Sequence, residues 1–240
     1  MDTIHLSNKG KVLMIAHRGV SGLEKENTLP AFVAAGTRSY YGIETDVHKT
    51  ADGKYILFHD DTTLRVAIDN MVVEETAYDT LRSLPLTDRE GKRGRIDLRM
   101  PNLEEYINVC KFYEKDAVLE LKNAFTEEDI YEICEIIDSL GYLEHTVFIS
   151  FCLDNLIYLR KKYPNQTAQF LTKPFREDLI EILTTHKLDL DIYYKSLTAE
   201  NIALCHEHGI TVNCWTVDKP EVAEQLIAWG IDMITTNILE

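Results

Sequence analysis

Short apolar, β-branched runs alternate with longer helical stretches along nearly the whole chain, and no other feature narrows the fold as far. The runs are Val12–Ala16, Gly42–His48, Ala117–Lys122, Thr146–Phe151, Thr167–Leu171, Leu188–Tyr193, Thr211–Val217 and Asp232–Thr235. The stretches between them carry helix start and stop signals. Thr126 caps Glu127–Leu140, with Asp129 three residues on and Gly141 after the end. Thr198 caps a helix that stops at Gly209, and Asp218, with Pro220 in the first turn, opens Glu221–Trp229. Eight strands alternating with helices over 240 residues predict an α/β fold of the (β/α)8 TIM-barrel type, with a doubly wound open sheet as the alternative. No Pro/Gly/Ser-rich linker or charge block marks a boundary, so residues 1–240 read as a single catalytic domain.

Residues 61–100 interrupt this rhythm. They hold one short helical pattern, Thr76–Leu84, and a charged stretch, Asp88–Arg99. Together with a hairpin they form an expected insertion over 51–100, after the second strand and near one end of the barrel. The charged portion is expected to be a cover with no chemistry of its own. The sequence stops four residues after Thr236, so the eighth helix is expected to be short or missing.

A net charge of −15 argues against nucleic-acid binding and against a polybasic membrane contact. An anionic substrate would need local positive charge from Arg, Lys or a metal ion. Met1–Lys11 has no apolar core of a signal peptide, and no apolar run reaches the roughly 20 residues of a membrane span, so no membrane anchor is expected. The five cysteines (Cys110, Cys134, Cys152, Cys205, Cys214) are odd in number and include no Cys-x-x-Cys pair. They read as free thiols of a cytoplasmic protein, with neither a disulfide framework nor a zinc site.

Groups with chemistry gather at the ends of the strands, where barrel enzymes place their sites. His17 and Arg18 end the first strand, and Glu44 and Asp46 lie late in the second. Side chains alternate along a strand, so Glu44 and Asp46 share a face. Two buried carboxylates side by side require a positive partner, and a divalent cation is the simplest. Their hard oxygen atoms suit Mg²⁺ or Ca²⁺. Asp52-Gly53 reads as a two-residue hairpin turn. In that register Ala51 pairs with Lys54, and His59 lies opposite Asp46 on the same face. Alternation in the third strand turns Glu120 and Lys122 into the barrel, as a third carboxylate and a phosphate ligand or as an internal ion pair. Trp215 is either core or a wall for the alcohol part of a substrate. His48 shares the face of Glu44 and Asp46 with its role open. His206 and His208 suit the end of a helix rather than a metal site. His5, His145 and His186 read as surface residues, and Ser150, Phe151, Lys195 and Ser196 as packing or exposed positions.

The ordered set His17-Arg18-Gly19, Glu26-Asn27-Thr28, Glu44-Thr45-Asp46, Asp52-Gly53, His59-Asp60, Glu120-Leu121-Lys122 and Trp215-Thr216-Val217 resembles the glycerophosphodiester phosphodiesterase family in its short bacterial form. The resemblance implies a TIM-type barrel that hydrolyses glycerophosphodiesters, such as glycerophosphocholine and glycerophosphoethanolamine, to sn-glycerol 3-phosphate and an alcohol, and hence a place in lipid and glycerol metabolism. It implies one divalent cation on Glu44, Asp46 and Glu120, and His17 and His59 as general acid and base. Arg18 and Lys122 would hold the phosphate, with Glu26 and Asn27 beside the site. Two positions depart from the family pattern. Lys25 stands where proline usually precedes Glu-Asn-Thr, and Asn237 follows Thr236 where aspartate is usual.

The expected reaction is metal-assisted phosphodiester cleavage, by water or by the substrate's own 2-hydroxyl through a cyclic phosphate. The alternatives are a lysophospholipase-D-like phosphodiesterase of the same superfamily, a phosphate-binding barrel isomerase or aldolase, and a non-catalytic phosphate-binding barrel. Asp218-Lys219-Pro220 and Thr236-Asn237-Ile238 lack the glycine that phosphate-gripping loops of such isomerases carry.

Overall fold

Eight parallel strands pair side by side until the last meets the first. The computed structural model describes residues 2–240. Its elements run β1 (Leu13–Ala16), α1 (Leu29–Gly36), β2 (Gly42–Lys49), β3 (Tyr55–Leu57), α2 (Tyr78–Ser83), α3 (Leu103–Phe112), β4 (Asp116–Leu121), α4 (Glu127–Ser139), β5 (Thr146–Ser150) and α5 (Leu153–Lys162). They continue β6 (Ala168–Thr172), α6 (Leu179–His186), β7 (Asp189–Tyr193), α7 (Ala199–Glu207), β8 (Val212–Trp215), α8 (Pro220–Ala228) and β9 (Met233–Thr236). β1 pairs with both β2 and β9, which closes the sheet into a barrel, while β3 hangs antiparallel on β2. The open doubly wound sheet is thereby excluded.

Alternation along each strand sorts residues between two environments. Ile43, Val47, Leu119, Leu121, Phe148, Leu190 and Cys214 face outward into the large core between barrel and helices. Ile15, Val118, Val147, Ile149 and Leu171 face inward and fill the barrel's interior. The inward polar positions include the charged Glu44, Asp46 and Glu120 and, low in β6 and β8, the neutral Gln169 and Asn213.

Local signals explain most helix starts. Thr126 and Asp129 form a reciprocal capping box on α4, and Thr198 accepts from Asn201 N on α7. Asp218 does not cap α8: the cap position is Lys219, and the Asp218 carboxylate instead binds Thr236 Oγ1 and Asn237. No helix follows β9 among the described residues. Ile238–Glu240 instead runs beside the N-terminal segment, Ile4 N donating to Ile238 O (3.0 Å) and Glu240 N to Ile4 O (2.8 Å).

The segment after β3 has its own small apolar core. Phe58, Val66, Val73, Leu81, Leu84, Leu86, Leu98 and Met100 pack together over Ile56. No helix of the described residues is long and apolar enough to cross a membrane, and all five cysteines are free thiols.

Candidate active site

The loop from β1 to α1 folds back on itself because three residues take left-handed backbone: Arg18 (φ 54°), Gly19 (φ 73°) and Asn27 (φ 50°). A side chain at Gly19 would stand 2.6 Å from the Ala31 backbone, so glycine is required there. The fold-back turns Arg18 N–H toward β2, where it donates to Glu44 Oε2 (2.8 Å). Asn27 Nδ2 donates to Asp46 Oδ2 (2.7 Å), and Thr45 Oγ1 donates to Asn27 Oδ1 (2.7 Å). The Arg18 guanidinium reaches Glu26 (2.8 Å) and Asp46 (3.6 Å).

β4 pairs beside β2 with Glu120 opposite Asp46. Ligand atoms of Glu44, Asp46 and Glu120 come within 4.8 Å of one another, and all three residues are buried. Lys122 Nζ lies 2.9 Å from Glu120 and 3.3 Å from Asp46. Lys122 thus takes up the ion pair foreseen as the alternative to phosphate binding. Asp46 Oδ1 and Glu120 Oε1 remain without an aligned hydrogen-bond donor.

The electrostatics single out Glu44. Burial, then the neighbouring Asp46 charge, push its carboxyl well above the ordinary range. Burial and Asp46 likewise push Glu120 up to about 7. Asp46 moves the other way: burial opposes its ionisation, but Lys122 and Arg18 outweigh it. With all three ionised, the carboxylates would exceed the two cations by one negative charge in a buried site, and the raised Glu44 and Glu120 reflect that excess. A divalent cation would reverse that excess, and a singly charged phosphodiester would then cancel it. The oxygen-only donor set fits Mg²⁺ or Ca²⁺.

Each histidine is held by Nδ1. His17 Nδ1 donates to Asn237 Oδ1 (2.7 Å), an oxygen that also accepts from Ser21 Oγ, while Asn237 Nδ2 donates to Asp218 (2.6 Å). His59 Nδ1 donates to the Asp60 carboxylate (2.6 Å). Both rings therefore leave Nε2 free, and His17 Nε2 lies 4.0 Å from Glu44. Burial, then the Arg18 charge, push His17 down to about 4. Burial also lowers His59.

His59 reaches this site by a different route from the one its hairpin suggested. Val47 pairs with Leu57 and Lys49 with Tyr55, so Asp46 lies opposite Phe58 rather than His59. The loop has three residues. Gly53 (φ 78°) takes the left-handed position and donates to Thr50 O, while Thr50 Oγ1 accepts from Lys54 N. Phe58 turns into the core of the insertion, β3 ends at Leu57, and the chain bends beyond it. His59 then lines the same cavity as His17, Arg18, Glu44 and Glu120.

That cavity is about 360 Å³, with Ile149, Phe151, Leu171, Lys173, Asp191 and Trp215 on its far walls. A second, more open groove of about 620 Å³ shares His17 and Arg18 with it and continues past Glu26, Arg89, Asp218 and Asn237. His17 and Arg18 stand at the junction. Of the sequence candidates, Asn27 and Lys122 bind the carboxylates rather than lining either space, and Trp215 and Phe151 are cavity walls. His48 is not in the cavity: it is buried, with Nδ1 3.0 Å from Glu74 of the insertion. His206 pairs with Asp232 (2.8 Å) and His208 with Leu204 O (2.9 Å), both at the C-terminal end of α7. Ser150 donates to Leu121 O (2.7 Å).

Three residues have no site role in the sequence reading. Asn237 stands there only as a departure from the family pattern, although its place directly after a strand end marks the barrel mouth. Asp191 alternates with apolar Leu190 and Ile192, so its inward face was readable. Arg65 had no such signal. From the insertion it grips both oxygens of Glu26 (2.7 Å each) and reaches Asp60 (2.6 Å).

The chain is similar to known proteins. Residues 17–240 match the model of the Glycerophosphoryl diester phosphodiesterase family. The chain is 27% identical, over 95% of its own length and 94% of the other, to a glycerophosphodiester phosphodiesterase of Caldanaerobacter subterraneus subsp. tengcongensis. It is similar to the crystal structure of a glycerophosphodiester phosphodiesterase from Parabacteroides distasonis, with a TM-score of 0.79 and 27% identity over 96% and 94% of the two chains. An Oleispira antarctica phosphodiesterase, solved in complex with its product sn-glycerol-3-phosphate, shares the fold with a TM-score of 0.85 at 24% identity over 94% and 92%. A barrel with this strand-end constellation and a family match over nearly its whole length has one assignment: the chain belongs to the glycerophosphoryl diester phosphodiesterase family of enzymes.

Proposed function

We propose that the chain hydrolyses glycerophosphodiesters, glycerophosphocholine and glycerophosphoethanolamine among them, to sn-glycerol 3-phosphate and an alcohol. The carrying observation is the convergence at one barrel mouth of three buried carboxylates, two cations and two histidines with free Nε2. Glu44, Asp46 and Glu120 would hold one divalent cation, Mg²⁺ or Ca²⁺. When bound, such an ion supplies Lewis-acid stabilisation of charge on the phosphoryl oxygens. Arg18, at the junction of the two spaces, binds the phosphate. Lys122, beside Asp46 and Glu120, would hold the phosphate with it. Glu26 and Asn27 position Arg18 and Asp46.

The two histidines differ in what backs them, and their roles follow. A carboxylate on Nδ1 stabilises an imidazolium, so His59 is the general acid that protonates the leaving alkoxide. A neutral amide on Nδ1 and a depressed affinity for protons leave His17 neutral, as the general base. Its Nε2 takes the proton of the attacking hydroxyl, from water or from the glycerol 2-position. The glycerol half lies in the enclosed cavity with Trp215, and the alcohol extends into the open groove. Residues 51–100 belong to the same catalytic domain, joined to the site through Arg65. The free thiols suit a reducing compartment such as the cytoplasm.

A lysolipid substrate would call for an apolar rim, and Phe151 is the one exposed large apolar residue lining the inner cavity among the described residues. The test is product analysis. Glycerophosphocholine, glycerophosphoethanolamine and glycerophosphoglycerol should each release sn-glycerol 3-phosphate. Preference for a dinucleotide or for lysophosphatidylcholine would overturn this reading.

A further inference from the structure

Two buried polar atoms on the walls of the inner cavity have no hydrogen-bond partner: Asp191 Oδ1, an acceptor, and Trp215 Nε1, a donor. Asp191 is only 1% exposed. Its polar neighbours satisfy one another and leave it out. Asn213 Nδ2 donates to Thr235 Oγ1 (3.1 Å) and to Gln169 Oε1 (3.4 Å). No ion pair joins Asp191 to Lys173 or to any other described cation. An unpaired carboxylate in a barrel interior is costly to the fold and persists where a ligand completes it.

The strand register puts the two atoms on one face. Asp191 pairs with Asn213 and Tyr193 with Trp215, so Asp191 and Trp215 are diagonal neighbours across β7 and β8. Their α-carbons are roughly 8 Å apart, a span that one small group between the side chains can bridge. The pairing of an acceptor with a donor selects that group. A cation would satisfy Asp191 and leave Trp215 orphaned, whereas an anion would satisfy Trp215 and leave Asp191 Oδ1 without a donor. A hydroxyl both donates and accepts. We propose that Asp191 and Trp215 form a subsite for the glycerol hydroxyl farthest from the phosphate, Asp191 accepting its hydrogen bond and Trp215 Nε1 donating to its oxygen. The far hydroxyl is the one that fits. With the phosphate at Arg18, the terminal hydroxyl is the glycerol group farthest from it, and Asp191 and Trp215 line the same cavity as Arg18. This deepens the proposed activity and rests on it.

The test is a cycle of substrate against side chain at saturating Mg²⁺. Glycerophosphocholine is compared with the phosphocholine ester of propane-1,2-diol, which lacks the terminal hydroxyl but keeps the middle one. The wild type should prefer the full substrate about 10²-fold in kcat/KM. Asp191→Leu should lose about 10²-fold on glycerophosphocholine and treat the two substrates alike within about threefold. Its thermal midpoint should hold or rise, because an unpaired buried carboxylate has been removed. Asp191→Asn keeps a carbonyl acceptor and should show an intermediate preference, about tenfold; it also carries the test if the leucine variant does not fold. The subsite is overturned if either variant keeps the wild-type preference. It is equally overturned if Asp191→Leu loses activity on glycerophosphocholine but not on glycerophosphoglycerol, which would make Asp191 the partner of the cationic alcohol. Failure of the wild type on both substrates would instead strike the proposed activity itself.

Discussion

The two flanks of the barrel mouth present the same group, an imidazole with Nε2 free, and support it in opposite ways. On the β1/β9 flank, His17 Nδ1 rests on the amide of Asn237, and the carboxylate behind that amide, Asp218, is one residue further back. On the hairpin flank, His59 rests directly on Asp60, and Arg65 ties Asp60 to Glu26 and so to Arg18. The first support belongs to the closed barrel. The second is delivered by a segment that the barrel does not need for closure. An uncharged support favours a proton acceptor, and a charged one favours a group that carries a proton. On the proposed mechanism, one constellation would serve both halves of an acid–base reaction.

Removing the rings should have the largest effect. His17→Ala and His59→Ala should each lower kcat by about 10²–10⁴-fold with the fold intact, while His206→Ala is neutral. The leaving group separates the two roles. On a glycerophosphoryl p-nitrophenyl ester, whose leaving group needs no proton, His59→Ala should recover most of its loss and His17→Ala none. The reverse pattern, read by nitrophenolate release, would exchange the assignments.

Changing the supports should have smaller and flank-specific effects. Arg65→Ala should lower kcat about tenfold with KM little altered, and lysine should not rescue it, because one ammonium cannot grip two carboxylates as the guanidinium does. Asn237→Asp would give His17 a carboxylate but set it against Asp218, so the thermal midpoint should fall. Adding Asp218→Asn should restore the midpoint. Equal midpoints in the single and double variants would mean that the pair is not coupled.

The barrel could be read from the chain because each strand carries its signal locally. Apolar runs such as Leu188–Tyr193 and caps such as Thr126 need no distant partner to be recognised. The carboxylate triad followed from alternation alone. What went wrong depended on contacts between segments. Thr50 lengthens the Asp52-Gly53 loop by binding Lys54, which shifts the register by one residue. His59 still arrives at the mouth because β3 ends before the face rule could carry it away. Asp218 looks like a cap, but the β9 loop claims it. Arg65 lies in a stretch with no strand or helix pattern, and only the folded insertion brings it to Glu26. The Asp88–Arg99 stretch, expected to be a bare cover, contributes Arg89 to the outer groove.

Acid should expose the hairpin flank's ionic support as the smallest effect. Burial raises the Glu26 carboxyl, but Arg65 and Arg18 outweigh it and hold it at about 2, against an ordinary value of 4.5. Its ionised form is thus bound more tightly in the fold than in the open chain. The stabilisation, about 3 kcal/mol at most, is complete above pH 4.5 and disappears as pH falls toward 2. The midpoint gap between the wild type and Glu26→Gln should be widest near pH 6 and close with acid. A gap that stays constant would remove Glu26 from the ionic support.

Everything at this mouth is arranged around an excess of negative charge that Glu44, Asp46 and Glu120 share. Turnover of glycerophosphocholine before and after exhaustive chelation, then with Mg²⁺ or Ca²⁺ returned, tests whether that excess is a cation site. Activity should vanish with the chelator and return with either ion in the wild type, and Glu44→Gln should regain little. Undiminished release of sn-glycerol 3-phosphate by the chelated protein would contradict the account.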